Sequence, residues 1–310
     1  MSENRSGEPG RPSRILCLGE ALVDLVCERP VVDLADANAF VPHFGGAVAN
    51  IAVLAARAGA AVALAGGAGE DDWGIWVRQR LIDEGVDVEA FELMPGVQTP
   101  LALVTVDGDG EPVYRIYGEQ LPTVVGALDG RLQRVVSGSA ALFISSNTLV
   151  GPSEREVTMR AREVALQQER PIIFDPNLRL HRWRSRADAA ASANACVPGA
   201  LLVRTNQAEA ALMTGEDDVE RAAQALLKAG ARMVVITLGP DGAILRGAIR
   251  ATVPGVPVKV LSTIGAGDAL TGTLLAKLAM SNFYPPAVAA SLRDAVAASA
   301  AACERWGALE

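Results

Sequence analysis

The chain has 310 residues, half of them hydrophobic, and a formal net charge of -8 at pH 7. That length can bury a large core, as one α/β domain or two smaller ones, and the composition disfavours a disordered chain. No block of Lys or Arg stands out and no apolar run approaches the ~20 residues of a membrane span, which disfavours nucleic acid and membranes as partners.

Residues 1–13 are polar without an apolar core, so they read as a flexible tail and not a signal peptide. Residues 14–19 form an apolar run suited to a buried strand, with Glu20 and Asp24 close behind it. Residues 40–44 lead into Gly45-Gly46, and 47–58 predict an alanine-rich helix with Asn50 near its first turn. A short strand over 61–65 passes through the turn Gly66 to Gly74 into a helix over 75–84. Residues 99–107 and 112–117 flank Gly108-Asp109-Gly110 in alternating pattern, a hairpin signal that interrupts the strand–helix rhythm. With strands from 31–44, it predicts a small β appendage built from about 25–44 and 99–118.

From residue 140 the rhythm returns. Strands are predicted over 140–145, 171–175, 201–204 and 233–238, with helices over 153–168, 187–196 and 219–229. An alanine-rich last helix is predicted over 286–305. Such alternation implies a mostly parallel sheet covered on both faces, with ligands at the carboxyl ends of its strands. Asp24, Asp175, Asn206, Gly239 and Asp268 each follow a strand-like run. The four cysteines form no Cys-x-x-Cys and there are two histidines, which disfavours zinc and a disulfide framework and fits a reducing cytosol.

The most informative stretch is Ser262-Thr263-Ile264-Gly265-Ala266-Gly267-Asp268. The apolar run 256–261 before it reads as a buried strand, and 269–280 after it as a helix. Strand, small residues and helix start together make an anion site, because backbone N–H groups can approach a ligand there. An acid in that place repels the anion unless it has another task, and taking a proton from an attacking hydroxyl is such a task.

Three further signals stand in fixed order with it: Gly45-Gly46-Ala47-Val48-Ala49-Asn50, Asn206-Gln207-Ala208-Glu209, and Thr237-Leu238-Gly239-Pro240-Asp241-Gly242. Together they resemble the ribokinase-like (PfkB) carbohydrate kinases, as do Gly66-x-x-Gly69-x-Asp71-x-x-Gly74 and Leu81-x-x-x-Gly85-Val86-Asp87. The resemblance runs from about residue 14 to 307. It implies a three-layer α/β/α ribokinase-like fold with a mostly parallel central sheet and a small β-sheet lid, over 14–310. It implies transfer of the ATP γ-phosphate to a sugar hydroxyl, with Asp268 as general base and the N–H groups of Gly265, Ala266 and Gly267 as anion hole. Asp24, Gly45, Gly46, Asn50 and Arg115 would bind the sugar. Asn206, Thr237, Gly239, Gly242, Gly265 and Gly267 would line the ATP site, and Glu209 with Asn206 would hold Mg²⁺ largely through water.

Within the family, Asp175-Pro176-Asn177-Leu178-Arg179 followed by Trp183 looks most like fructokinases and 2-keto-3-deoxygluconate kinases, as does Gly19-Glu20-x-x-x-Asp24. The family's Phe/Tyr-Arg pair is matched only loosely in the stretch Tyr114 to Pro122. Ser262 replaces an Asp associated with a monovalent cation in relatives, which leaves potassium activation open, whereas the base at Asp268 carries over. A nucleoside kinase of this fold and a catalytically silent sugar-binding regulator are the competing readings. A dinucleotide-binding fold is disfavoured because no Gly-x-Gly-x-x-Gly follows the first strand. The alternating pattern over 101–106 permits a homodimer through the β lid.

Each motif also has a plain structural reading. Gly-Ala-Gly-Asp before a helix can be only an N-terminal cap, Asn206-x-x-Glu209 resembles a capping box, and Thr237 to Gly242 can be an ordinary turn. Tyr114, Arg115 and Tyr117 on a hairpin are more often solvent-facing or packed than bound to ligand.

Overall fold

The computed structural model describes residues 14–118, Val125 and 128–309. The tail expected over 1–13, and residues 119–122 of the Tyr114-to-Pro122 stretch, lie outside them. Among the described residues thirteen strands form two sheets. The larger has nine: β1 (Ile15–Leu18), β4 (Val62–Gly69), β5 (Phe91–Met94), β8 (Ala141–Ser145), β9 (Ile172–Asp175), β10 (Leu202–Asn206), β11 (Met233–Thr237), β12 (Ala243–Gly247) and β13 (Ala251–Val253), in the order β13-β12-β11-β10-β9-β8-β1-β4-β5. All pairings from β11 to β5 are parallel, and β12 and β13 continue antiparallel.

Both faces of this sheet are covered, which is why its central strands read as unbroken apolar runs. Ile15 and Cys17 of β1 pack into one core, and Leu16 and Leu18 into the other. The first core takes α1 (Ala47–Arg57), α8 (Ala266–Met280) and α9 (Pro286–Ala302). The second takes α4 (Pro152–Gln167), α5 (Arg186–Asn194), α6 (Gln207–Thr214) and α7 (Val219–Lys228), the rest being α2 (Asp72–Asp83) and α3 (Leu132–Ser137). Small residues let α1 and α8 touch closely. A Cβ on Gly272 would lie 2.7 Å from the Leu54 Cβ, a contact distance that leaves no room for a side chain. That contact fixes Asn50 of α1 relative to Asp268 of α8.

The smaller sheet has the order β3-β2-β6-β7, from β2 (Leu22–Cys27), β3 (Phe40–Gly45), β6 (Leu101–Val106) and β7 (Pro112–Tyr117). The hairpin around Gly108-Asp109-Gly110 is the antiparallel β6–β7 pair. The architecture is thus the expected ribokinase-like one, a large mostly parallel sheet with helices on both sides and a small second sheet.

Several expectations change. Residues 256–261 form no strand, and Val256, Val260 and Leu261 are 45%, 44% and 44% exposed. Pro254 and Pro257 remove backbone donors there, so β13 ends at Val253 and a loop follows. Asp24 sits inside β2 rather than after a strand. Within 31–44 only Phe40–Gly45 is a strand, and Leu34–Asp36 is a single 3₁₀ turn. Helix α8 begins at Ala266 rather than 269, which puts Asp268 in its first turn.

Candidate active site

The turn into α8 is made by Gly265, whose φ of +75° a side chain rarely adopts. Its tightness is set by Ser262, whose buried Oγ accepts the Ile264 N–H at 3.1 Å. The hairpin tip of the small sheet is tied to the same loop, with Thr263 N donating to Gly110 O at 2.8 Å. Helix α8 thus starts at this turn, where Ala266 N donates back to Thr263 O at 3.2 Å, and a helix start is a place where backbone N–H groups can meet an anion.

Asp268 faces a cavity between the two sheets, which Asp24, Gly46, Asn50, Tyr114, Arg179 and Arg182 also line. Asn50 Nδ2 donates to Asp268 Oδ2 at 3.1 Å. Burial pushes the Asp268 carboxyl up to about 6, against the opposing pull of Asn50 and Arg179. Burial pushes Asp24 up to about 7, with Arg179 opposing it and Asp268 and Glu20 adding to it. Two carboxylates in one cleft are thus both poised to exchange protons near neutrality. Gly45 makes room for one of them, because a Cβ there would lie 2.5–2.8 Å from the Asp24 carboxyl atoms.

The register of the small sheet decides which of its side chains reach the cavity. Asp24 pairs with Ala102 and Ala102 with Ile116, while Leu103 pairs with Arg115 and Val104 with Tyr114. Side chains alternate with period two, so Tyr114 and Ile116 line the cavity and Arg115 is on the opposite, exposed row. The structure thus does not bring Arg115 to the other expected residues. The arginines that line it are Arg179 and Arg182, and the Arg179 guanidinium lies 4.7 Å from the Tyr114 ring centroid. Arg182 is held by the Asn147 carbonyl and side-chain oxygens, and Asn147 Nδ2 donates to Glu20 at 2.9 Å.

Asn206 and Glu209 form a reciprocal capping box at the start of α6. Glu209 Oε1 accepts the Leu178 N–H at 2.7 Å, and Oε2 accepts from Asn206 N and Thr205 Oγ1. Burial and the nearby Asp175 push the Glu209 carboxyl up. Thr237 ends β11, Gly239 opens a 3₁₀ turn, and Gly242 returns the chain into β12. Between these and the anion loop lies Arg204, which sequence reading did not single out. Its signal was a lone charge inside the apolar run of β10, and it donates to Asp175 and to Thr237.

A helix start at a glycine turn, carrying a half-buried carboxyl and lying near the carboxyl ends of parallel strands, is the arrangement expected of a phosphotransferase of the α/β class. The model of the pfkB family carbohydrate kinases matches residues 12–310. Fructokinase-1 of Oryza sativa subsp. japonica is 32% identical over 271 residues, covering 87% of this chain and 84% of that protein. A Vibrio cholerae O395 fructokinase double mutant, solved with fructose, ADP and potassium ion, superposes with a TM-score of 0.82 at 27% identity, covering 97% and 96% of the two chains. Aminoimidazole riboside kinase from Salmonella enterica, complexed with aminoimidazole riboside and an ATP analogue, superposes with a TM-score of 0.79 at 25% identity, covering 96% and 95%. The chain belongs to the pfkB family of carbohydrate kinases, ATP-dependent phosphotransferases that act on a sugar hydroxyl.

Proposed function

We propose that this protein is a fructokinase that transfers the γ-phosphoryl group of ATP to a hydroxyl of fructose. The observation that carries the mechanism is Asp268, raised to about 6 and hydrogen-bonded by Asn50 beside the first N–H groups of α8. The sugar oxygen bonds to phosphorus, the bond from phosphorus to the bridging oxygen breaks, ADP leaves, and the hydroxyl proton passes to Asp268. The N–H groups of Gly265, Ala266 and Gly267 stabilise charge on the moving phosphoryl group, each such donor being worth ~3 kcal/mol. Asp24 and Asn50 hold sugar hydroxyls, with Gly45 leaving room for the Asp24 carboxyl and Gly46 for the close approach of the Glu20 and Ala21 backbone. The small sheet acts as a lid that keeps water, the competing acceptor, away.

Thr237, Gly239 and Gly242 line the nucleotide site. Mg²⁺ fits beside Glu209 and Asn206 through water, because both Glu209 oxygens already accept protein N–H or O–H groups and this ion keeps most of its hydration shell. When bound it supplies positive charge at the phosphate oxygens. Ser262 supplies only a hydroxyl, already used by Ile264 N–H, which does not fit a monovalent cation held by a carboxylate. No described helix is long and apolar enough to cross a membrane, and the four free cysteines fit a cytoplasmic protein. Val113 and Tyr117, exposed on the outer row of β7, are the side chains a homodimer through the lid would cover.

The Arg179 and Arg182 pair in the cavity favours one second reading, an acidic keto sugar such as 2-keto-3-deoxygluconate. A coupled ADP-release assay over fructose, 2-keto-3-deoxygluconate, ribose and nucleosides separates the two. Fructose is expected to have the highest kcat/KM. Turnover of another substrate with none of fructose overturns the assignment.

A further inference from the structure

Arg204 interrupts the apolar strand β10, and its side chain is 9% exposed. Its Nη1 donates to Asp175 Oδ2 and its Nη2 to Thr237 Oγ1, both at 3.2 Å. Because β10 lies between β9 and β11, the guanidinium spans the carboxyl ends of three neighbouring strands. It thus stands between the turn after β11 and the cavity that holds Asp268. Toward the loop before α8 the guanidinium lies against Gly267, where a Cβ would come within 3.0 and 3.1 Å of Nη1 and Nη2. The buried Nε has no partner among the described residues. Asp175, Glu209 and Asp268 are its acidic neighbours. A pair made only to tie β9 to β10 needs Asp175 alone, and needs neither the facing glycine nor spare donors.

We propose that Arg204 is a catalytic residue of the transfer: held by Asp175 and Thr237, its guanidinium passes Gly267 to the oxygens of the moving phosphoryl group and stabilises their charge in the transition state. It neither gains nor loses a proton, and the proton still goes from the hydroxyl to Asp268 as in the reading above, on which this inference rests. A fixed, planar set of donors suits the three spread-out oxygens of such a group.

The test compares the full chain with Arg204→Met and Arg204→Lys. The Met variant is expected to lose about 10²-fold in kcat, the usual effect of removing one such donor, with sugar KM within about twofold. ADP binding alone is expected to be unchanged, while the tighter ADP binding seen with aluminium fluoride and fructose is lost. A folded Met variant with kcat within about threefold of the parent, or one that keeps the fluoride increment, overturns the proposal. If the Met variant does not fold, the Lys variant decides: about tenfold lower kcat with a weakened increment supports it, and parental values for both overturn it. Asp268→Asn assayed alongside separates the readings, because a parental rate there overturns the base and leaves the Arg204 comparison standing.

Discussion

Asp268→Asn separates the chemical and structural roles of one carboxyl. The amide has the same shape, and its oxygen still accepts the Asn50 Nδ2 bond found at 3.1 Å. It cannot take a proton, so kcat is expected to fall 10²- to 10⁴-fold, or about 3–5 kcal/mol of barrier. ATP affinity is expected to hold, since the donors of the anion loop are backbone groups. Stability moves the other way. Burial raises the carboxyl from 3.8 to about 6, which corresponds to about 3 kcal/mol against the ionised form. That is an upper bound, because the side chain is still reached from the cavity. The folded value lies above the unfolded one, so the favourable contribution is complete below 3.8 and is lost as pH rises through about 6. The variant should therefore gain on the parent between pH 4 and pH 8, by at most ~3 kcal/mol. Steady-state turnover, ATP calorimetry and urea melts at both pH values measure all three effects. Parental turnover, or a stability difference that does not change with pH, refutes the reasoning.

The sugar kcat/KM of the parent should rise with pH and level off above about 8, because the base must be ionised and Asp268 and Asp24 lie at about 6 and about 7; a rate that falls over pH 5–8 contradicts this. Gly45→Ala forces a Cβ to within 2.5–2.8 Å of the Asp24 carboxyl atoms. Displacing that carboxylate should raise sugar KM about tenfold or more, on the order of 1–3 kcal/mol, with ATP KM unchanged in initial-rate assays. Arg115→Ala removes an exposed side chain on the outer row of β7 and should leave kcat/KM within about twofold. A tenfold loss would mean that β7 presents its other face to the sugar during turnover.

What could be read from the sequence depended on whether a residue's role is local. The glycine turn into a helix at Gly265 to Asp268 and the hairpin around Gly108 to Gly110 are short-range features, and both are present, although no strand precedes the first and its helix starts at Ala266 rather than 269. The run 256–261 misled because apolar content alone was counted, whereas two prolines set its backbone. Arg115 is expected from the family's Phe/Tyr-Arg pair, yet the face of a strand is set by register with β6, which a single chain of letters does not contain. Asn147 follows β8 whereas Arg179 and Arg182 follow β9, and only the pairing of the strands brings them to one cavity with the small sheet.

Arg204 shows where such a signal was present and unused. In a parallel sheet buried on both faces, an arginine in the strand costs several kcal/mol in desolvation unless it is paired. Its pairing with Asp175 removes that cost only in part, since its Nε and the Asp175 Oδ1 both lack partners among the described residues. Asp175 spends its other oxygen on Arg204 and on Thr271 of α8, at 2.8 Å. The same carboxylate therefore joins α8, which carries Asp268, to β10, which carries Arg204. A charged residue that is incompletely satisfied by its protein partners, yet anchored to the helix of the proposed base, is the kind of group the proposed contact with a phosphoryl oxygen would satisfy.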